Sequence, residues 1–189
     1  MLVLVAIAEL VLCWVLWLAV FVIRHRQGGV GKAVVTAPAA RPGMFLQAAA
    51  YVVVWSFSPI SLGWRAWWPM GFTIASMVLG PASAVLAWSA VRHLGKQSRI
   101  QAALSEDHEL VRTGPYRLVR HPVYASMLGM LLATGFAWSW WPQLLAALTI
   151  FLAGTEIRVR AEDGLLAGRF GESFTAYRSR VRAYIPFLR

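Results

Sequence analysis

Apolar residues gather in five long blocks along this chain, at positions 1–23, 44–62, 68–91, 122–138 and 142–157. At 1.5 Å per residue, the first three are long enough to cross a hydrocarbon layer of about 30 Å as helices. The last two lie near the lower limit of about 17 residues for a span. Only Ser139, Trp140 and Trp141 separate them, so they predict a tight helical hairpin. The first block carries one charge, Glu9, and no basic flank before it. Its apolar run exceeds the core of a cleaved signal, which predicts a retained helix.

The polar positions between the blocks are unevenly charged. All but one of the 18 Lys and Arg residues fall in linker 24–43, loop 92–120 or tail 158–189; the exception is Arg65. Five crossings put those three stretches on one side, and basic loops stay in the cytoplasm. The expected fold is therefore an all-α integral membrane protein with about five transmembrane helices, its N-terminus outside and its C-terminus cytoplasmic. Trp64, Trp67, Trp68, Trp138, Trp140 and Trp141 fall in or beside the two outer loops, where interfacial aromatic belts form.

Composition agrees with this reading. Of the 189 residues 59% are hydrophobic and 14% charged, with mean hydropathy +0.59; an average soluble domain has about a quarter charged residues. The length suits one compact unit. The net charge of +10 follows from topology and attraction to anionic lipid, and no basic–aromatic interleaving reads as a nucleic-acid surface. A single cysteine, Cys13, lies in an apolar run, which leaves no internal disulfide, Cys-rich zinc site or iron–sulfur cluster to expect. No metal site is expected.

Polar groups suited to chemistry concentrate at the expected cytoplasmic end. Gly28-Gly29-Val30-Gly31-Lys32 lacks the spacing, the Ser/Thr and the preceding strand of a phosphate loop, and reads as a flexible basic linker. The stretch from Arg112 to Tyr124 carries a Gly114-Pro115 turn and then Pro122, suited to a first helical turn. His121 and Tyr124 flank that helix start, where free N–H groups and the dipole favour an anion. Two readings stand: a docking point for a carboxylate or phosphate, or an ordinary junction with Arg117 and Arg120 on lipid phosphates. A second cluster, Glu156, Arg158, Glu162 and Asp163, ends the fifth block. Arg158 and Glu162 share a helix face. They form either an i,i+4 salt bridge or a pair in which Glu162 takes a cation and Arg158 an anion. The tail 164–189 is amphipathic and basic, fit to lie on the inner surface or to cover a pocket.

Together these residues resemble the isoprenylcysteine carboxyl methyltransferase family and, more distantly, the membrane phospholipid N-methyltransferases. The resemblance rests on His108-x-Leu110-Val111-x-Thr113-Gly114-x-Tyr116, on Arg120-His121-Pro122-x-Tyr124, on Glu162-Asp163, and on Phe170-Gly171-x-x-Phe174-x-x-Tyr177. It covers about 101–186. It implies a division into an anchoring part, 1–91, with three helices and the linker, and a catalytic part, 92–189, with a cytoplasmic-side cofactor pocket. It implies S-adenosylmethionine as cofactor, bound by Gln101, His108, Glu109, Leu110, Val111, Tyr116, His121, Pro122, Val123, Tyr124 and Glu162. It implies Arg158 as the substrate-side arginine, so that Arg158 and Glu162 are the catalytic pair. Three positions depart from the family pattern: Ser126 for Gly, Asp163 for the second Glu, and Arg182 for Pro. Ser126 is expected to narrow the pocket beside the cofactor.

The implied reaction is methyl transfer to a lipophilic substrate entering from the bilayer, with membrane lipid as the other partner, in a membrane of the bacterial inner (cytoplasmic) type. The favoured acceptor is a prenylcysteine-like carboxylate, already ionised at neutral pH because an α-carboxyl has a pKa near 3.5. A phospholipid amine would need a base such as His121 or Glu162, and a thiol or other small acceptor is a further alternative. A non-enzymatic carrier or scaffold is disfavoured, since ionisable residues inside the helices are nearly absent and polar groups cluster at one end.

Overall fold

The computed structural model of the chain describes residues 2–26, 35–56, 70–95, 103–104 and 109–186. The described part of each apolar block lies on a helix. These are α1 (Leu2–Arg26), α2 (Arg41–Ser56), α3 (Met70–Leu94), α4 (Pro122–Trp138) and α5 (Trp141–Phe170), followed by a short α6 (Glu172–Arg180). Leu4–Arg26 and Met70–Leu94 are long and apolar enough to cross a membrane, and α4 is a shorter apolar helix of 17 residues. Among the described residues the only strands are two-residue pieces, β1 (Val35–Thr36) and β2 (Ala103–Leu104), paired antiparallel.

Two boundaries differ from the sequence pattern. Helix α2 starts before the apolar block, because Pro42 is preorganised for a first turn; positions 57–62 lie outside the described residues. Helix α5 runs past Ile157 to Phe170. Hydropathy ends where the charges begin, but Ala, Glu, Leu and Arg are all good helix formers and carry the helix on. It stops at Gly171, whose φ of +52° only glycine adopts without strain.

The helices pack as α1 on α3, α3 on α4 and α2 on α5. Their outward faces are apolar: Leu4 and Val52 are each 69% exposed, with Val78 and Val85 close behind, as suits hydrocarbon. Between helices, polar side chains close on one another or on backbone carbonyls. Trp14 Nε1 donates to Thr134 Oγ1 at 3.0 Å, Ser76 Oγ to the Ala133 carbonyl at 2.7 Å, and Tyr51 Oη to the Met127 carbonyl at 2.8 Å. Such bonds and small-residue contacts drive helix association where no hydrophobic effect operates.

The α2–α5 crossing brings backbone against backbone. A Cβ on Gly154 would sit 2.7 Å from the Gly43 carbonyl oxygen and 2.8 Å from Leu46 Cβ. The β1–β2 pair joins linker 24–43 to loop 92–120 at the end of the bundle where the charged turns of α5 emerge. The described residues of these basic stretches thus gather at one end.

Overpacking a tight core typically costs about 1–3 kcal/mol. Gly154→Ala should therefore lower the thermal midpoint in detergent by several degrees. Gly164→Ala, where an added Cβ meets nothing within 4 Å, should leave the midpoint unchanged or raise it. Equal midpoints for both variants would show that the α2–α5 crossing is not close-packed.

Candidate active site at the start of α4 and the end of α5

The site is assembled by backbone pairing far apart in sequence. Residues 114–117 form a 3-10 turn with Pro115 near its start. Val119 then pairs in parallel with Arg182. The Arg120 N–H donates to the Arg182 carbonyl at 2.8 Å, and the His121 N–H to the Ala183 carbonyl at 2.7 Å. The start of α4 is thereby docked on the extended segment that follows α6. The chain reaches that segment by reversing at Gly171 and folding α6 back, with Phe174 and Tyr177 buried. Tyr177 Oη donates to the Tyr116 carbonyl at 2.5 Å, and Arg112 NH2 to the Ser173 carbonyl at 3.0 Å. The tail therefore covers the loop, and does so through specific hydrogen bonds.

Two adjacent acids at the end of α5 face the Arg120-His121 pair at the start of α4. Asp163, 4% exposed, takes Arg120 NH2 on Oδ2 at 2.9 Å and His121 Nε2 on Oδ1 at 2.9 Å. Arg178 Nε approaches the same Oδ2 at 3.8 Å from α6. Glu162 is more open, with its side chain 23% exposed. It accepts a short hydrogen bond from Tyr124 Oη and lies 3.4 Å from His121 Nδ1 and 3.6 Å from Arg158 NH2. The rings of His121 and Tyr124 stack at 5.6 Å and 22°, and the Arg158 guanidinium sits over the Tyr124 ring at 5.1 Å. Gln47 reaches in from α2, its Oε1 accepting from Arg158 NH1 at 3.4 Å.

These contacts set the protonation states. Burial works against a charged imidazole at His121, but hydrogen bonds to Asp163 and Glu162, with their charge, outweigh it and hold His121 above its ordinary value. Burial pushes the Glu162 carboxyl up, yet His121, Tyr124 and Arg158 together bring it below the usual range. Asp163 follows the same balance, lowered by His121 and Arg120 against burial. Burial, then Tyr177 and Glu162, raises the Tyr116 phenol, and burial pushes Tyr177 up to about 12. At neutral pH Glu162 and Asp163 are ionised against Arg158 and Arg120, and the same acids bias His121 toward its charged form.

The residues expected from sequence divide into groups. Tyr116, His121, Pro122, Tyr124, Arg158 and Glu162 come together here, Tyr116 through its carbonyl bond to Tyr177. Val123 is half-buried, and its carbonyl accepts from Ser126 Oγ at 2.7 Å. Glu109 is exposed, and Leu110 and Val111 are half-buried, on the segment leading to the 3-10 turn. Gln101 and His108 lie outside the described residues, as do Gly28–Lys32. Glu156 pairs with Arg160 on the outer face at 2.9 Å. Ser126 does not face this cluster: it is fully buried, its Oγ accepting from Trp17 Nε1 of α1 at 3.3 Å. Its hydroxyl is interhelical, between α4 and α1. Arg120, 7% exposed, is no lipid-phosphate contact either. The anion expected at the start of α4 is the chain's own acid pair.

Sequence reasoning named Asp163, Arg120 and Tyr177 in its clusters and motifs without giving them a role at the site, and it did not name Gln47. The signal available was adjacency. Consecutive helical residues point about 100° apart, so Glu162-Asp163 spans a face wide enough to hold both His121 nitrogens.

The linkage has two arms. A histidine raised above about 6.5 stabilises fully below that pH and loses the contribution as pH rises through its folded value. Carboxylates held low stabilise above about pH 4.5 and lose that contribution as pH falls through their folded values. The thermal midpoint should therefore form a plateau through weakly acidic to neutral pH and fall on both sides. His121→Asn should lower the plateau and remove the alkaline fall. An alkaline arm that survives in His121→Asn would assign it to another group.

The family model for phospholipid methyltransferases matches residues 72–173, more than half of the chain. Protein-S-isoprenylcysteine O-methyltransferase of Schizosaccharomyces pombe is 27% identical over 119 residues, covering 63% of this chain and 48% of that protein. Protein-S-isoprenylcysteine O-methyltransferase B of Arabidopsis thaliana is 26% identical over 134 residues, covering 65% and 61%. The alignments thus span about half to three-fifths of these relatives' length. The matched stretch contains both halves of the ionised network, from the start of α4 to the end of α5, and on that match the chain belongs to the phospholipid methyltransferase family.

Proposed function

We propose that the chain is a membrane methyltransferase that uses S-adenosylmethionine to methylate the carboxylate of a lipophilic, prenylcysteine-like acceptor. The observation that carries this reading is Glu162, a partly open carboxylate held between the Tyr124 hydroxyl, His121 and Arg158. The donor set suits the cofactor: a carboxylate for a cationic sulfur or ammonium, and the stacked His121–Tyr124 pair beside it for a flat heterocycle. Bound there, the cofactor supplies a methyl group on a positively charged sulfur, so transfer to a carboxylate forms a C–O bond, returns the S–C electron pair to sulfur and needs no base.

The chain's own residues then have defined tasks. Arg158, its guanidinium fixed over Tyr124, holds the acceptor carboxylate as a planar cation. Glu162 offsets the positive charge on the cofactor side. The gathering of basic stretches at one end supports five crossings with this end cytoplasmic and the N-terminus outside, in a bacterial inner-type membrane. The acceptor's lipid part enters between helices from the bilayer, and the cofactor from the water. This division leaves proximity and electrostatics as the sources of rate.

A phospholipid amine is the rival acceptor, in keeping with the family's description. It requires removal of an ammonium proton. Both ring nitrogens of His121 face carboxylates at 2.9 and 3.4 Å, which ties up the nearest base and favours the carboxylate. The test is a radiolabelled transfer assay in nanodiscs against prenylcysteine analogues, phospholipids and thiols. Base-labile label on the prenylcysteine is the expected result; base-stable label on phosphatidylethanolamine would replace it with the amine reading.

Two variants separate the roles. Arg158→Ala should reduce transfer by roughly 100-fold or more while cofactor affinity in calorimetry stays near wild type. Glu162→Ala should weaken cofactor affinity by about 10-fold or more, equivalent to about 1.4 kcal/mol. Loss of cofactor binding in Arg158→Ala, or its retention in Glu162→Ala, would exchange or cancel these assignments.

A further inference from the structure

We infer that Gln47, in the apolar helix α2, is a positioning residue that sets the Arg158 guanidinium for an anionic acceptor, so that α2 takes part in acceptor selectivity. The inference rests on the acceptor reading above. Gln47 precedes the family-matched residues 72–173, and it is 2% exposed on a helix with an otherwise apolar buried face. A primary amide buried there is costly unless both of its ends are paired.

Both ends are paired, and the chemistry of the partners decides which end is which. Arginine offers only donors, so the end of the amide facing Arg158 is the oxygen, 3.4 Å from NH1. The nitrogen then donates to Thr155 Oγ1 at 2.8 Å. Thr155 and Arg158 are three residues apart on α5, so one amide spans neighbouring positions of the same helix face. The guanidinium is constrained by Gln47 from α2, by Glu162 at 3.6 Å from its own helix, and by the Tyr124 ring beneath it at 5.1 Å.

The charge of the residue matters as much as its reach. Gln47 orients Arg158 through a neutral oxygen and adds no negative charge to that of Glu162, 3.6 Å from the same guanidinium. A glutamate there would orient it equally well and neutralise it. The approach of α2 that makes this contact depends on Gly43, where a Cβ would stand 2.7 Å from Arg158 Cγ. A purely structural tie between α2 and α5 would need only the Gln47–Thr155 bond.

The test uses the full chain in nanodiscs, with N-acetyl-S-farnesylcysteine as acceptor probe. Wild type, Gln47→Met, Gln47→Glu and Thr155→Val are compared for kcat, for KM of acceptor and of cofactor, and for thermal midpoint. Gln47→Met should raise the acceptor KM by about 10-fold with the cofactor KM unchanged, the scale of one lost charge-assisted hydrogen bond. Gln47→Glu should raise the acceptor KM further while keeping the midpoint, a pattern a structural tie does not produce. Thr155→Val, which leaves the Gln47 oxygen on Arg158, should lower the midpoint more than it raises the acceptor KM. If Gln47→Met does not assemble, Gln47→Glu decides alone: an acceptor KM equal to wild type overturns the proposal. Wild-type transfer with an unchanged acceptor KM in both Gln47 variants removes Gln47 and leaves the acceptor reading standing. No transfer to the probe by the wild type overturns the acceptor reading, and the role of Gln47 with it.

Discussion

Two neighbouring carboxylates hold this molecule's working end together. Asp163 and Glu162 leave the last turns of α5 and close on Arg120, His121 and Tyr124 at the first turn of α4. The two acids do different work. Asp163 is sealed, neutralised by Arg120 and His121, and approached by Arg178 from α6. Glu162 is part-open and faces Arg158. Breaking a buried pair by removing one partner leaves an uncompensated charge, so Asp163 is the structural half. Glu162 can exchange one of its partners for a ligand at lower cost. One contact thus fixes the junction and leaves a usable charge beside it.

The bilayer-like exterior of the helices explains how so small a chain supports that junction. Apolar side chains face outward, so association depends on close approach and on satisfied polar groups inside. The Gly43–Gly154 crossing supplies the approach. It also delivers Gln47 to Arg158, so the packing of the first helices and the geometry of the site are one problem. The covering tail belongs to the same unit: α6 folds back at Gly171, and the segment after it carries the carbonyls that receive the Arg120 and His121 N–H groups.

Most of the architecture was legible because hydropathy blocks of this length leave few alternatives: the apolar helix at 122–138 matches its block end to end. The continuation of α5 was not legible in hydropathy, because a helix that leaves an apolar environment keeps its backbone hydrogen bonds and changes only its side chains. Within the site, the Arg-His-Pro-x-Tyr block and the Arg158–Glu162 spacing pointed to groups that do meet. Asp163 stood in the same motif without a role, because spacing along one helix says nothing about which acid faces a residue 42 positions away. Ser126 was legible as a departure at a motif position, but its bond to Trp17 was not, because nothing along α4 says which helix lies against that face. Gln47 gave no signal, since a single amide in an apolar run is silent until its partner helix is placed.

The central claim is that the start of α4 and the end of α5 act as one cofactor-gripping unit. A double-mutant cycle on Tyr124→Phe and Glu162→Gln, read as S-adenosylhomocysteine affinity in nanodiscs, tests it most directly. The account predicts that each single change weakens binding and that the double variant is little worse than Glu162→Gln alone. Strictly additive losses, or no loss in any of the three, would contradict it.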